Sequence, residues 1–192
     1  MLRLLAGEVS LPRFDDSVRD LVRQSWAPYR TATVTTREVA LAAMRPIARS
    51  VRDDRLELAA RLLREFHTAG IAPYLSVLRE NADGLRFVLP PIVEWHTCSY
   101  HVVDGMHRLF AARGQGLESV FALVVESSAL PPPTLAPCEW AEVKVVDYAE
   151  TRDEKFPGFV ADLFRPTAKF LDARSGPFFS ETQLLAAFDT TV

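Results

Sequence analysis

Between Ser99 and Gly116 the chain reads SYHVVDGMHRLFAARGQG, and Asp104, His107 and Arg108 in its middle are residue types that handle phosphate and protons. Arg108 supplies a permanent, fork-shaped charge suited to phosphate oxygens. His107 would either touch a phosphate or brace the loop through a side-chain hydrogen bond. Asp104 is the acid of the stretch, and two compatible roles are open to it: capping the following helix, or orienting or deprotonating an acceptor hydroxyl in phosphoryl transfer. Tyr100, Val102 and Val103 favour a strand, Asp104-Gly105 a tight turn, and Leu109, Phe110 and Ala112 a helix that Gly114 or Gly116 stops. The free N–H groups and positive dipole end of that helix would face the loop, which makes the turn an anion-binding element.

The segment Asp104, Gly105, His107, Arg108, Ala111, Ala112, Arg113 and Gly116 follows the pattern D-G-x-H-R-x-x-A-A-R-x-x-G, and a second strand-like run, Val120 to Val125, comes after it. This resembles the ParB/sulfiredoxin superfamily, within it the D-G-x-H-R branch that includes ADP-dependent free L-serine kinases. The resemblance covers roughly residues 34 to 126. It implies a mixed sheet with packed helices, with nucleotide phosphates held by Gly105, Met106, His107 and Arg108. Sulfiredoxins carry a cysteine where this chain has Met106, so sulfiredoxin chemistry is excluded. In the resembling serine kinases a glutamate in the loop after the first strand is the base. Here that loop reads Arg45-Pro46-Ile47-Ala48-Arg49-Ser50, with no carboxylate before Asp53. Arg49 is instead similar to the arginine that partition proteins place near the nucleotide. Glu38, Asp53 and Asp54 are the substitutes for the missing base.

Other reactive residue types read as structural. His96-x-Cys98-x-x-His101 has metal-ligand types, but no second cluster completes a tetrahedral set, and strand alternation need not put His101 on the face of the turn residues. Cys98 and Cys138 read as buried small hydrophobes, and Glu94 as a surface strand residue.

The elements needed to position the turn follow in order. Glu38 to Met44 read as a strand broken by Arg45-Pro46. Asp53 to His67 form an amphipathic helix with Leu56, Ala59, Ala60, Leu62, Leu63 and Phe66 on its apolar stripe, ending at Gly70, and Ile71 opens an extended segment. Pro91 to Glu94 and Ser99 to Val103 form a hairpin around Trp95 to Cys98. Outside this core, Phe14 to Trp26 reads as a helix with Asp15, Asp16 and Ser17 as start signals and Val18, Leu21 and Val22 on its apolar face. Leu130 to Pro137 is a proline-rich connector, Val143 to Tyr148 a strand, and Phe156, Phe159, Phe164, Phe170, Phe178 and Phe179 an aromatic tail that covers a core or a pocket.

With 192 residues and 48% hydrophobic content, one core is expected, a single domain over residues 1–192 with extensions on both sides of the core. The 22 basic residues against 25 acidic ones, net −3, argue against nucleic acid as the main partner. Arg45, Arg49, Arg52 and Arg55 cluster, but Asp53, Asp54 and Glu57 are interleaved with them. No helix-turn-helix pattern follows the turn. No apolar run approaches the roughly 20 residues of a membrane span, MLRLLAG is too short for a secretory signal, and two cysteines make no disulfide framework. The expectation is therefore a cytoplasmic α/β (α+β) nucleotide-dependent phosphotransferase. It would use ATP or ADP, with CTP as the alternative, and Mg²⁺, on a small hydroxyl-bearing metabolite. A nucleotide-held switch module and a nuclease are the rivals.

Overall fold

A computed structural model describes residues 2–3, 11–81 and 84–165. In chain order its strands and α-helices are β1 (Leu2–Arg3), α1 (Leu11–Ser25), β2 (Thr33–Ala40), β3 (Met44–Pro46), β4 (Ser50–Arg52), α2 (Asp53–Thr68), β5 (Val77–Asn81), β6 (Gly84–Val88), β7 (Ile92–His96), β8 (Ser99–Asp104), α3 (Met106–Gly114), β9 (Ser119–Glu126), β10 (Lys144–Val146) and α4 (Arg152–Lys155). Five strands form one mixed sheet in the order β2-β9-β7-β8-β3. The β2–β9 and β7–β8 pairs are antiparallel, and the β9–β7 and β8–β3 pairs are parallel. β4 pairs in parallel with β10, and β1, β5 and β6 form a separate antiparallel sheet. The architecture is a mixed α/β sheet with packed helices, as the sequence resemblance implies.

Alternation along the central strands sends successive side chains to opposite faces, and each face has its own core. Val93, Val102, Ala122 and Val124 pack with Leu63 and Phe66 of α2 and Leu109 and Ala112 of α3. Ile92, Leu123 and Val125 pack on the other side with Val18 and Val22 of α1 and with Tyr29. Each large side chain removed from water this way contributes about 1.5–3 kcal/mol before entropy is counted. Both helices beside the turn end in Schellman motifs: Ile71 N–H donates to the Phe66 carbonyl and Leu117 N–H to the Ala112 carbonyl, with Gly70 and Gly116 at φ +65° and +75°.

Several elements depart from the sequence pattern. The first strand runs from Thr33 to Ala40, and a 3-10 turn at Leu41–Ala43 separates it from β3, so the expected strand over Glu38 to Met44 is broken inside that stretch and not at Arg45-Pro46, which pair with His101 and Val102 of β8. Proline is accepted there because β3 is the sheet edge. The hairpin turns at Thr97-Cys98 alone, so Trp95 and His96 belong to β7. Ile71 does not open a strand at once; β5 starts at Val77. α1 starts at Leu11, so Asp15, Asp16 and Ser17 lie inside it rather than at its start. Cys98 is exposed, while Cys138 is buried. Phe156, Phe159 and Phe164 stack with one another, at 5.2–6.4 Å between ring centres; Phe170, Phe178 and Phe179 lie outside the described residues.

The largest departure is Glu94, which is fully buried rather than on the surface. It stands on β7, the central strand, where both edges are paired and both faces are covered. Arg165 grips it from 71 residues away, Nε to Oε1 at 2.6 Å and a terminal nitrogen to Oε2 at 2.7 Å. The Tyr29 hydroxyl donates to Oε1 at 2.5 Å, and His96 Nε2 donates to Oε2 at 2.7 Å. Burial alone would raise the carboxyl pKa, but the hydrogen bonds from His96, Arg165 and Tyr29 and the Arg165 charge hold it below its ordinary value. Arg165 also donates to the Pro131, Pro132 and Leu163 carbonyls and lies over the Trp26 ring. One carboxylate thus ties the sheet, the segment after α1, the proline-rich connector and the end of the described chain together.

Because removing one partner strands the other charge in the interior, Glu94→Ala should lower the unfolding free energy by about 3–5 kcal/mol in urea titration. The double variant Glu94→Leu/Arg165→Met should recover most of that loss. A single-variant loss below about 1 kcal/mol would show that the pair is not buried in solution.

Candidate functional site

β3 and β8 run parallel, so the loop after β3 and the turn after β8 lie at the same end of the sheet. Each leads to the start of a helix, β4 directly into α2 and Asp104-Gly105 into α3. The turn closes because Gly105 sits at φ +81°, ψ +21°, against Pro91. A Cβ at this position would stand 2.7 Å from the Pro91 Cβ, so both the conformation and the space call for glycine.

Neither helix is capped by the side chain of its N-cap residue, although the Asp54 carboxylate takes the Arg55 N–H in the first turn of α2. The N-cap residues are Arg52 for α2 and Gly105 for α3, and neither makes a side-chain cap bond. Asp104 therefore does not cap α3, contrary to one of its expected roles; its Oδ2 accepts from Arg108 at 3.0 Å. Arg108 uses a second nitrogen on the Leu89 carbonyl, and the Tyr74 hydroxyl holds the Arg108 carbonyl at 2.7 Å. The Arg108 guanidinium thus braces the turn against the segment before β7.

His107 points the other way, toward α2. Its Nε2 accepts the backbone N–H of Arg52 at 3.1 Å, which joins the first turn of α3 to the N-cap of α2. The bracing role is the one observed. Accepting a proton from nitrogen requires a neutral ring, and the environment keeps it neutral. Burial, then the charges of Lys155 and Arg55, push its pKa down to about 4, with Asp54 pulling the other way.

The remaining expected residues divide by position. Asp53 and Asp54 open α2, and Arg52 grips the Asp54 carboxylate, Nε to Oδ1 at 2.9 Å. That hydrogen bond holds the Asp54 carboxyl below its ordinary pKa. Arg49 lies in the loop after β3, reaching Glu142 at 3.4 Å and the Ala136 carbonyl at 3.3 Å. Met106 is buried in the core under the turn. Glu38 is not brought to the turn: it lies on β2, three strand spacings or about 14 Å from β8, and accepts the hydroxyl of Ser119 on β9.

Two residues at this end of the sheet escaped the sequence reading. Glu150 accepts a hydrogen bond from the buried Ser50 of β4, and the Lys155 charge acts on His107. Both arrive on the segment after β10, about a hundred residues downstream of α2, and no local pattern announces them. His96 and His101 do share a face, with rings stacked at 4.7 Å, but among the described residues no group of three or more His, Cys, Asp and Glu side chains could hold a metal ion. No helix among the described residues is long and apolar enough to cross a membrane.

No family model matches the chain, and no curated protein does. Solved structures share part of it. A conserved hypothetical protein from Pyrococcus furiosus is 16% identical over 46% of this chain and 31% of its own, with a TM-score of 0.31. A protein from Agrobacterium tumefaciens is 18% identical over 48% of this chain and 39% of its own, at 0.32. The chromosome-partitioning protein ParB from Caulobacter crescentus, complexed with CTP-γ-S, is 22% identical over 50% of this chain and 47% of its own, at 0.33. The chain spans less than half the length of each.

In an NMR titration the His107 and His101 imidazoles should both stay neutral down to about pH 4, against an ordinary value near 6.5. Because the folded pKa lies below the unfolded one, the stability these rings contribute is complete above about pH 6.5 and is lost as pH falls toward about 4. A His107 midpoint near 6.5 would show that the ring does not brace Arg52.

Proposed function

We propose that this chain binds a nucleotide by its phosphates at the joined starts of α2 and α3, and that it transfers phosphate to a small hydroxyl-bearing metabolite, such as an amino acid. ATP or ADP is the donor, with CTP the alternative. The observation that carries the reading is the convergence of two helix N-termini whose N-cap residues make no side-chain cap bond, fixed to each other by the Arg52–His107 hydrogen bond. Two dipole ends on one spot favour an anion, and Arg49, Arg52 and Arg55 lie at this end of the sheet, the first two already paired with Glu142 and Asp54. The D-G-x-H-R resemblance supports the same ligand.

Transfer needs a carboxylate at the acceptor hydroxyl. Asp104 fits in part: Arg108 occupies Oδ2, and Oδ1 makes no hydrogen bond among the described residues. Asp53 and Asp54 remain at the start of α2, and Glu38 is too far away to act at the turn. Mg²⁺ binds nucleotides through the phosphates and one or two protein carboxylates, a demand that Asp53, Asp54 or Glu150 meets without a preformed metal cluster. A nucleotide-held switch without turnover is the second reading, favoured by the prior engagement of Asp104 with Arg108.

A thermal-shift screen with ATP, ADP, CTP and GTP, with and without Mg²⁺, tests the binding. A nucleotide at 100 times its dissociation constant adds roughly 2.7 kcal/mol of stability, and the free nucleosides should add none. A flat response to every nucleotide would remove the reading. For the chemistry, Asp104→Asn should leave nucleotide affinity within a fewfold while lowering phosphate transfer by roughly a hundredfold, followed by phosphorus NMR. Near-parental turnover would move the base to Asp53 or Asp54, and no transfer to any hydroxyl acceptor by the parent would leave the switch.

A further inference from the structure

After β10 the chain forms a strap anchored along β4, the strand that leads into α2, and the strap is built into place. Its first anchor is the parallel β4–β10 pair, with the Lys144 N–H on the Arg49 carbonyl at 2.9 Å. Its second is the bond between Ser50 and Glu150. A reciprocal cap then fixes the short helix α4: the Thr151 N–H donates to the Glu154 carboxylate at 2.7 Å and the Glu154 N–H to the Thr151 hydroxyl at 3.3 Å. Phe156 packs against the core beyond it, and Arg165 locks the far end onto Glu94.

Lys155 is the cation that this strap delivers. It is half-buried and has no carboxylate within ion-pair distance among the described residues; its ammonium lies 5.9 Å from the centre of the Phe156 ring. Among the described residues Arg52 pairs with Asp54 and Arg49 with Glu142, whereas Lys155 forms no ion pair, and Glu150, which acts on its charge, accepts the Ser50 hydroxyl. Of the charges acting on the His107 ring, that of Lys155 weighs most. Burial, with the nearby Arg52, holds the Lys155 pKa below its ordinary value although Glu150 opposes this. A partly desolvated cation with no ion pair among the described residues, carried on an anchored strap near the two helix starts, is free to take a bound anion.

Resting on the nucleotide reading above, we propose that Lys155 is a phosphate-binding residue of this site, contributed by the strap and not by the turn, so that the bound phosphate chain ties strap, α2 and α3 together. The occupant it selects is a di- or triphosphate, long enough to reach from the helix starts to the strap.

Calorimetric titration of the parent, Lys155→Gln and Lys155→Arg with ADP, ATP, CTP, AMP and inorganic triphosphate tests this. Lys155→Gln should melt close to the parent without ligand. It should bind ADP, ATP and inorganic triphosphate about tenfold more weakly, as expected for one lost charge-assisted contact, while AMP changes less; Lys155→Arg should recover most of the loss. Hydrogen exchange adds a readout that a packing role would not move: the amides of residues 150–156 should gain protection on nucleotide binding in the parent and not in Lys155→Gln. Equal phosphate affinity in parent and Lys155→Gln, with the parent binding nucleotide, overturns the role of Lys155 and leaves the site intact. If the parent binds none of these ligands, the site itself fails and the proposal with it.

Discussion

One hydrogen bond sets the geometry at this end of the molecule: the Arg52 backbone N–H donating to His107 Nε2 at 3.1 Å. It fixes two helices that leave different strands so that both start at the same place. Without it, α2 and α3 would still share a core through Leu63, Phe66, Leu109 and Ala112, since apolar packing is not directional. The bond supplies the angular constraint that packing lacks. It also demands a neutral imidazole, which burial and then the charges of Lys155 and Arg55 maintain.

The buried Glu94 is the matching constraint on the opposite face of the sheet. A carboxylate in a central strand is costly unless all its lone pairs are used, and here Arg165, Tyr29 and His96 use them. The pair adds less to net stability than its short distances suggest, because both ions had to leave water. Its contribution is specificity of place: Arg165, on the segment after β10, is held to this carboxylate across 71 residues of chain.

The D-G-x-H-R stretch was legible because its signals are local. Alternation in Tyr100 to Val103, the left-handed demand at Gly105, the helical spacing of Leu109 and Ala112 and the stop at Gly116 each act within a few residues. The same holds for α2 and its end at Gly70, and for the hairpin before the turn. Contacts made over long sequence distances were not legible. Nothing near Glu94 announces Arg165, nothing near His107 announces Lys155, and Pro46 reads as a breaker unless β3 is known to be an edge. The capping role of Asp104 failed for a different reason: a carboxylate before a helix has two partners in reach, the helix N–H groups and an arginine four residues on. With Gly105 taking the cap position, Arg108 prevails.

The central claim is that phosphate sits on the joined helix starts. It is tested most directly by following backbone amide resonances while ADP is added to the isotopically labelled protein. The account predicts that the largest shifts fall on Asp53, Asp54, Met106 and His107, with their N–H signals moving downfield as hydrogen bonds to phosphate form, while the amides around Glu94 stay in place. Saturable shifts centred elsewhere on the molecule, with those four amides unmoved, would contradict it.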